Sequence, residues 1–300
     1  MNPPAPPGID PALLRSIATR VKAGQCILFL GAGVHSGPGP DSPYTYSKKL
    51  SPPRGKALSR YLARKSDYTK AFSHASRYDL QRVALHFETH PSFKRSDLIQ
   101  EVRSAVQVGK EPSPALLALA ELNFPLVITT NYDQLFERAL ARAGKEFIRG
   151  VYSPDDKRET RDIGDPDPQK PYVLKIHGDV DEPSSIVITD EDYIQFLLRM
   201  SDKEQVNPIP LGFRYHLKRW PTLFVGYSLR DYNLRLLFKT LRWRVDPVNF
   251  PTSYAVDPYP DPLVVKVLSG RDQHISFISS DVWSFVPALY RAVKDREMPS

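Results

Sequence analysis

Four short clusters in this chain carry side chains or backbone able to do chemistry. Gly31-Ala32-Gly33-Val34 follows the apolar run Cys26-Ile27-Leu28-Phe29-Leu30. A Gly-x-Gly turn straight after a buried strand brings the backbone close to a pyrophosphate, with amide N–H groups and a helix N-terminus facing the anion. The third glycine of the dinucleotide fingerprint is out of register, because position 36 is Ser, so a purely structural turn stays open. Thr129-Thr130-Asn131-Tyr132-Asp133 puts hydrogen-bonding side chains on the turn after a second apolar run, where Asn and Asp serve equally well as N-caps. His177-Gly178-Asp179 ends a third run. A lone histidine there is either structural or a base, and Gly178 beside it keeps a ligand's approach open. Gly226-Tyr227-Ser228 ends a fourth.

The elements that would position these clusters alternate along the chain. Asp10 caps an amphipathic helix that ends at Gly24 and leads into the Cys26–Leu30 strand. Ser36 to Arg54 is a Pro-, Gly- and Ser-rich loop of the long kind that is functional or disordered. Spacings of three and four predict helices over Lys56–Arg64, Asp79–Thr89, Ser96–Val108 and Ser113–Leu122. Strands are expected at Phe124–Thr130, Tyr172–Ile176, Thr222–Val225, Ser253–Val256 and Ile275–Ile278, with Ile186–Ile188 short and strand-like. Helices are expected over Asp133–Ala143, Asp190–Met200, Pro208–Trp220, Asp231–Leu241 and Asp281–Lys294. Strands alternating with helices imply βαβ units: an α/β, Rossmann-like parallel sheet flanked by helices, in one domain over 1–300. A mostly helical insertion is expected at about 55–110, and residues 1–8 form a proline-rich tail. In such sheets ligands bind outside the carboxyl ends of the strands, which is where all four clusters fall.

Composition narrows the options. Hydrophobic residues make up 41% of the 300, enough for a sizeable core. The net charge of +7 suits an anionic ligand, an acidic partner or nucleic acid, but no basic run concentrates it. The single cysteine, Cys26, lies in an apolar strand and reads as a buried thiol, which excludes an intramolecular disulfide and any multi-cysteine zinc site. His86 and His90 are four apart, but Phe87 follows His86 where the zincin pattern needs Glu, so they read as solvated helix histidines and no metal is expected. No apolar stretch approaches the roughly twenty residues that span a bilayer. Met1 to Gly8 lacks the apolar core of a secretory signal, so a cytoplasmic location without membrane contact is expected.

In this order, Gly31-Ala32-Gly33-Val34, Thr130-Asn131-Tyr132-Asp133, Ile176-His177-Gly178 and Gly226-Tyr227-Ser228-Leu229 resemble the sirtuin superfamily. They look most like the bacterial sirtuin-like domains of anti-phage defence systems, over about Gln25 to Tyr254. The resemblance implies NAD as substrate. Gly31, Ala32, Gly33 and Val34 would hold its pyrophosphate, Asn131 would bind the nicotinamide ribose and position water, and Asp133 would contact the carboxamide. His177 would act as general base, with Gly226 and Ser228 against the adenosine half. Asp257, after the strand Tyr254-Ala255-Val256, is a further candidate for the adenosine ribose hydroxyls, placed by the logic of acidic residues after Rossmann strands. Two departures stand out. The four zinc cysteines of sirtuin deacylases are missing, which argues against deacylation, and His35 stands where the family pattern has serine.

The chemistry is coherent with that implication. Cleaving the nicotinamide–ribose bond passes through an oxocarbenium-like sugar, and nicotinamide leaves from NAD without needing a proton. Positioning plus a base for water, worth ~10²–10⁴-fold, is what remains, and Asn131 and His177 supply both. The expectation is an NAD glycohydrolase, the effector of an abortive-infection system. It would be a homo-oligomer joined to a sensor or a DNA-translocase-type ATPase. The alternatives are a non-catalytic NAD or ADP-ribose sensor, or a deacylase or ADP-ribosyltransferase. Direct nucleic-acid binding has only the net charge in its favour.

Overall fold

The computed structural model describes residues 9–153, 163–200, 209–229, 251–269 and 275–299. The expected tail at 1–8 and the expected helix Asp231–Leu241 lie outside the described residues.

Seven strands form one parallel sheet: β1 Ile27–Leu30, β2 Leu126–Thr129, β3 Ile148–Val151, β4 Tyr172–Lys175, β5 Thr222–Val225, β6 Ser253–Val256 and β7 Ile275–Ile278. Their order is β3-β4-β2-β1-β5-β6-β7. Every pairing is parallel, as expected for α/β alternation. Among the described residues the helices are α1 Pro11–Lys22, α2 Gly55–Lys65, α3 Tyr68–Ala71, α4 Leu80–Thr89, α5 Arg95–Val106, α6 Pro114–Glu121, α7 Leu135–Arg142, α8 Asp190–Met200, α9 Leu211–Leu217, α10 Pro262–Leu268 and α11 Val282–Lys294.

The central strand β1 is apolar throughout because both faces are covered. Leu28 and Leu30 of β1 pack with α1, α6, α7 and α11, while Ile27 and Phe29 pack with residues of α8, α9 and α10 on the other face. This is the period-two alternation of a strand. Helix α1 illustrates the local logic. Asp10 accepts the Ala12 N–H at 2.8 Å, Pro11 opens the helix, and Leu14, Ile17, Ala18 and Val21 are buried on one face. Burying each of the larger side chains is worth about 1.5–3 kcal/mol. Cys26 is fully buried, and burial pushes its thiol up to about 12, so it is an inert core group.

Helices α2 to α5 build a second apolar cluster that also takes in Tyr132, Val180, Ile186 and Ile188 from the strand-end loops. This helical lobe is tied to the loop after β4: Arg95 donates to the Ile186 carbonyl at 2.7 Å and pairs with Glu88 at 2.8 Å and Asp192 at 3.0 Å. Ile186–Ile188 is not a strand. Its amides are met instead by the His177 carbonyl, which takes Val187 N–H at 3.0 Å, and by Asp192, which takes Ile188 N–H at 3.0 Å. The expected Pro208–Trp220 helix is confined to α9, and β3 and α10 were not foreseen. His86 and His90 are half-buried rather than wholly solvated, and the His86 ring lies edge-on to Tyr68, Phe72 and His90. The proline-rich loop after β1 is tied down, with Trp283 Nε1 donating to the Ser36 carbonyl at 2.7 Å and Ser51 Oγ to the His35 carbonyl at 2.6 Å. No described helix is long and apolar enough to cross a membrane.

Candidate active site

The sheet order reverses at β1, which lies between β2 and β5, so the crevice of an open α/β sheet falls at their carboxyl ends. The chain leaves β1 and β5 in glycine turns that touch. Gly33 N–H donates to the Gly226 carbonyl at 2.7 Å. Gly226 has φ +71°, and a Cβ on it would stand 2.1 Å from the Val34 nitrogen. A Cβ on Gly33 would lie 2.5 Å from the Gly226 oxygen, and one on Gly31 would meet Tyr227 at 2.5 Å. Glycine is therefore required here by backbone against backbone. The expected helix after the turn is a single 3-10 turn, Ala32–His35, and the Val34 N–H is spent on the Gly31 carbonyl at 3.0 Å. Val34 itself is buried in the core, while Ala32 and Gly33 are partly open.

At the end of β2, Thr129 Oγ1 donates to the Leu30 carbonyl at 3.1 Å and accepts the Asn131 N–H at 3.0 Å. This stitches the Asn131 turn to the glycine turn. His35, the last residue of the 3-10 turn and 2% exposed, then meets both predicted side chains of that turn. Its Nε2 lies 3.3 Å from Asn131 Nδ2 and 3.2 Å from Asp133 Oδ2. Asp133 Oδ1 accepts the Leu135 N–H at 3.0 Å, so this carboxylate also meets the first amide of α7. Burial pushes the Asp133 carboxyl up, but His35 and Lys175 outweigh that and hold it below the usual carboxylate range.

Behind Asp133 stands Lys175, the last residue of β4 and fully buried. It pairs with Asp179 at 2.9 Å and Glu137 at 3.3 Å, and donates to the carbonyls of Asp133 and Tyr132. Burial also opposes the ionisation of Asp179, yet Lys175 and the Asp181 amide hold its carboxyl low. Glu137 is the opposite case, because burial dominates and pushes its carboxyl up despite Lys175.

His177 leaves β4 two residues after Lys175, as Asn131 leaves β2 two residues after Thr129, and Thr129 and Lys175 are register partners. The two predicted catalytic residues thus emerge from adjacent strands at corresponding positions. The His177 ring is edge-on to Tyr193 and Phe196 of α8, with Nδ1 3.3 Å from the Tyr193 hydroxyl. Burial pushes its imidazole down from 6.5 to about 3, so it is neutral. Gly178, at φ +88°, serves the chain rather than a ligand: a Cβ there would lie 2.2 Å from the Ser185 oxygen. Ser228 is exposed after β5, and Asp257 is half-buried after β6, its Oδ1 accepting the Tyr259 N–H at 2.9 Å. These two line the β5–β6 side of the same sheet edge, apart from the Asn131 group. Among the described residues no three His, Cys, Asp or Glu side chains are grouped as metal ligands.

The SIR2-like domain model matches residues 125–278. The chain belongs to that family. The stretch holds Asn131, Asp133, His177, Gly226, Ser228 and Asp257, and the expected resemblance to sirtuins is confirmed. Among curated relatives, this SIR2-like chain is 28% identical over 168 residues to the NAD(+) hydrolase ThsA of Acinetobacter baumannii (strain 532279), covering 55% of this chain and 31% of that protein. It is 28% identical over 166 residues to the NAD(+) hydrolase ThsA of Enterococcus faecium, covering 55% and 32%. Against defense-associated sirtuin 2 of Bacillus subtilis it is 29% identical over 159 residues, covering 51% and 14%. The matched region spans about a third or less of each of these relatives.

Residue types alone do not mark Glu137 or Tyr193 as parts of this region, and His35 stands out only as a departure from the family pattern. Lys175 carried a usable signal, since a lysine closing an otherwise apolar strand needs a buried partner. Tyr193, in an ordinary helix, carried none.

Proposed function

We propose that this chain is an NAD glycohydrolase that cleaves NAD to nicotinamide and ADP-ribose. One observation carries the reading: Asn131 and Asp133 meet the glycine turn of β1 through His35, at the switch point of a SIR2-like sheet. The relatives named NAD(+) hydrolase support it. In this reading Gly31, Ala32, Gly33 and Val34 form the pyrophosphate turn, with Gly226, Ser228 and Asp257 on the adenosine side. The fit is partial at the turn, because the Gly33 and Val34 amides are already bonded within the chain. Asp133 receives the carboxamide, and Asn131 holds the ribose and orients water.

His177 takes the water's proton. For Nε2 to hold the lone pair, Nδ1–H must donate to the Tyr193 hydroxyl oxygen, 3.3 Å away. A buried imidazole pushed down to about 3 is a weak base. Weakness is tolerable here, because nicotinamide departs with its bonding electrons unassisted and water need be deprotonated only as it adds to the cationic sugar. The same weakness favours a second reading, a non-catalytic sensor of NAD or ADP-ribose.

We further read the chain as the effector of an anti-phage, abortive-infection response, active in the cytoplasm as a homo-oligomer with a sensor or ATPase partner. Helices α2 to α5 are read as an insertion into a single domain. The test is nicotinamide release by the wild type, Asn131→Ala and His177→Ala over a range of protein concentrations. Release by the wild type with at least a 10²-fold loss in both variants is expected. NAD binding without release at any concentration favours the sensor, and full activity in either folded variant removes its assigned role.

A further inference from the structure

His35 occupies a position that neither the resemblance nor the proposed roles assign, yet it is the group on which two site residues converge. A single ring nitrogen, Nε2, stands 3.2 Å from Asp133 Oδ2 and 3.3 Å from the Asn131 amide. The ring is almost wholly buried, and its other nitrogen, Nδ1, is buried without a hydrogen-bond partner. Hydrogen-bond accounting then fixes the arrangement. Lys175 and the bond from the Leu135 N–H help keep Asp133 an acceptor-only carboxylate, so the nitrogen facing it must carry hydrogen. A nitrogen that carries hydrogen cannot accept from an amide N–H. The Asn131 amide must therefore turn its oxygen toward His35, and its NH2 group away from it. Amide O and N are exchanged by a simple flip about the last torsion, and the hydrogen-bond network decides between the two.

We propose that His35 is a positioning residue that sets the sense of the Asn131 amide, presenting its NH2 as the donor to the substrate ribose. Asp133 acts through it by fixing hydrogen on Nε2, so the three side chains work as one unit spanning two strand ends. A serine at position 35 is too short to bridge the two groups at these distances. The inference rests on the reading of Asn131 as the residue that holds the ribose.

Two measurements test it on the full chain. In the first, NMR of ¹⁵N-histidine-labelled protein reads the His35 ring, and the Asn131 side-chain amide is followed in His35→Ala and His35→Gln. Hydrogen on Nε2, with the Asn131 amide signals displaced in the alanine variant and restored by glutamine, is expected. Glutamine places an NH2 where Nε2–H stood, so it can donate to both partners. A bare Nε2, or a glutamine variant no closer to wild type than alanine, overturns the proposal.

The second measurement is nicotinamide release. His35→Ala should lower kcat by about 10²-fold, with a much smaller change in KM, and His35→Gln should recover most of the loss. Equal kcat in wild type and a folded His35→Ala variant overturns the positioning role. A wild type that passes the NMR test and binds NAD, but releases no nicotinamide, removes the hydrolase reading and leaves the placement of His35 standing.

Discussion

On the β1–β5 side of the candidate site the contacts are backbone against backbone, with Gly31, Gly33 and Gly226 fitted together and no charge buried among them. On the β2–β4 side the contacts are side chains, and four ionisable groups, Asp133, Glu137, Lys175 and Asp179, are buried together. The first side is held by steric fit, which has no dependence on pH and admits no substitution. The second is held by opposed charges, each of which would be costly alone. A fold can therefore bring a site to one sheet edge by two kinds of constraint that fail differently, and that difference can be measured.

Steric fit should fail most abruptly. In Gly226→Ala the methyl group meets the Val34 nitrogen at 2.1 Å, and the residue is held at φ +71°. Left-handed backbone costs about 1–2 kcal/mol for an L-residue, and the collision adds to it because both neighbours are backbone. A loss above about 4 kcal/mol in urea unfolding is expected. Gly39→Ala is the control, since nothing lies within 4 Å of its added Cβ, and a change within about 0.5 kcal/mol is expected there. Near-normal stability of Gly226→Ala would mean that the two strand ends are not in contact.

The charged side should fail next. Lys175→Met removes the cation common to Asp179 and Glu137 and leaves two buried carboxyl groups without it. Breaking a buried pair in this way costs about 3–5 kcal/mol. Urea unfolding at neutral pH measures it. A cost below about 1 kcal/mol would show that water reaches the cluster and that charge does not hold this side together.

The same contrast explains what could be read from residue order. The glycine turns were legible as turns, because a Gly-x-Gly straight after an apolar run marks a tight local turn, although a structural use stayed as open as a ligand site. The strand alternation was equally plain, since Ile27–Leu30, Leu126–Ile128, Tyr172–Leu174 and Leu223–Val225 are apolar runs and each is followed by a small or polar residue. Asn131 and His177 were legible as strand-end residues, and the register of β2 with β4 sets them at corresponding positions past the ends of adjacent strands. The partners that tune them were not legible. His35 lies 96 residues from Asn131 in the chain, and Tyr193 lies in a helix whose pattern is explained by packing alone. Ile186–Ile188 looked like a strand because its residues are buried and branched, but Ile186 and Ile188 are buried by the helical lobe and the Val187 and Ile188 amides are met by the His177 carbonyl and the Asp192 carboxylate. Local pattern reports what a segment is made of, while these contacts depend on which distant segments the sheet order brings together.

The smallest expected effect separates the two sides by pH. His177 belongs to the charged side although it is neutral, since its ring is 6% exposed and packed against Tyr193 and Phe196. Its folded-state value of about 3 lies below the ordinary 6.5, so the unfolded chain takes up a proton that the folded chain refuses. The direction follows from linkage: above about pH 6.5 neither state is protonated and His177 has no effect. As pH falls from there toward 3, stability drops by about 1.4 kcal/mol per unit. At pH 5 the loss amounts to roughly 2 kcal/mol, all of it before the low-lying Asp133 and Asp179 begin to titrate below 3.8. Urea unfolding of wild type and His177→Gln between pH 7.5 and pH 5 resolves it. The wild-type curve should fall and the variant's should be flatter by that amount, whatever the absolute stability of the variant. Parallel curves would mean that water reaches the imidazole in the folded protein. In that event the ring is an ordinary base near neutral pH, and the weak-base argument for the sensor reading disappears with it.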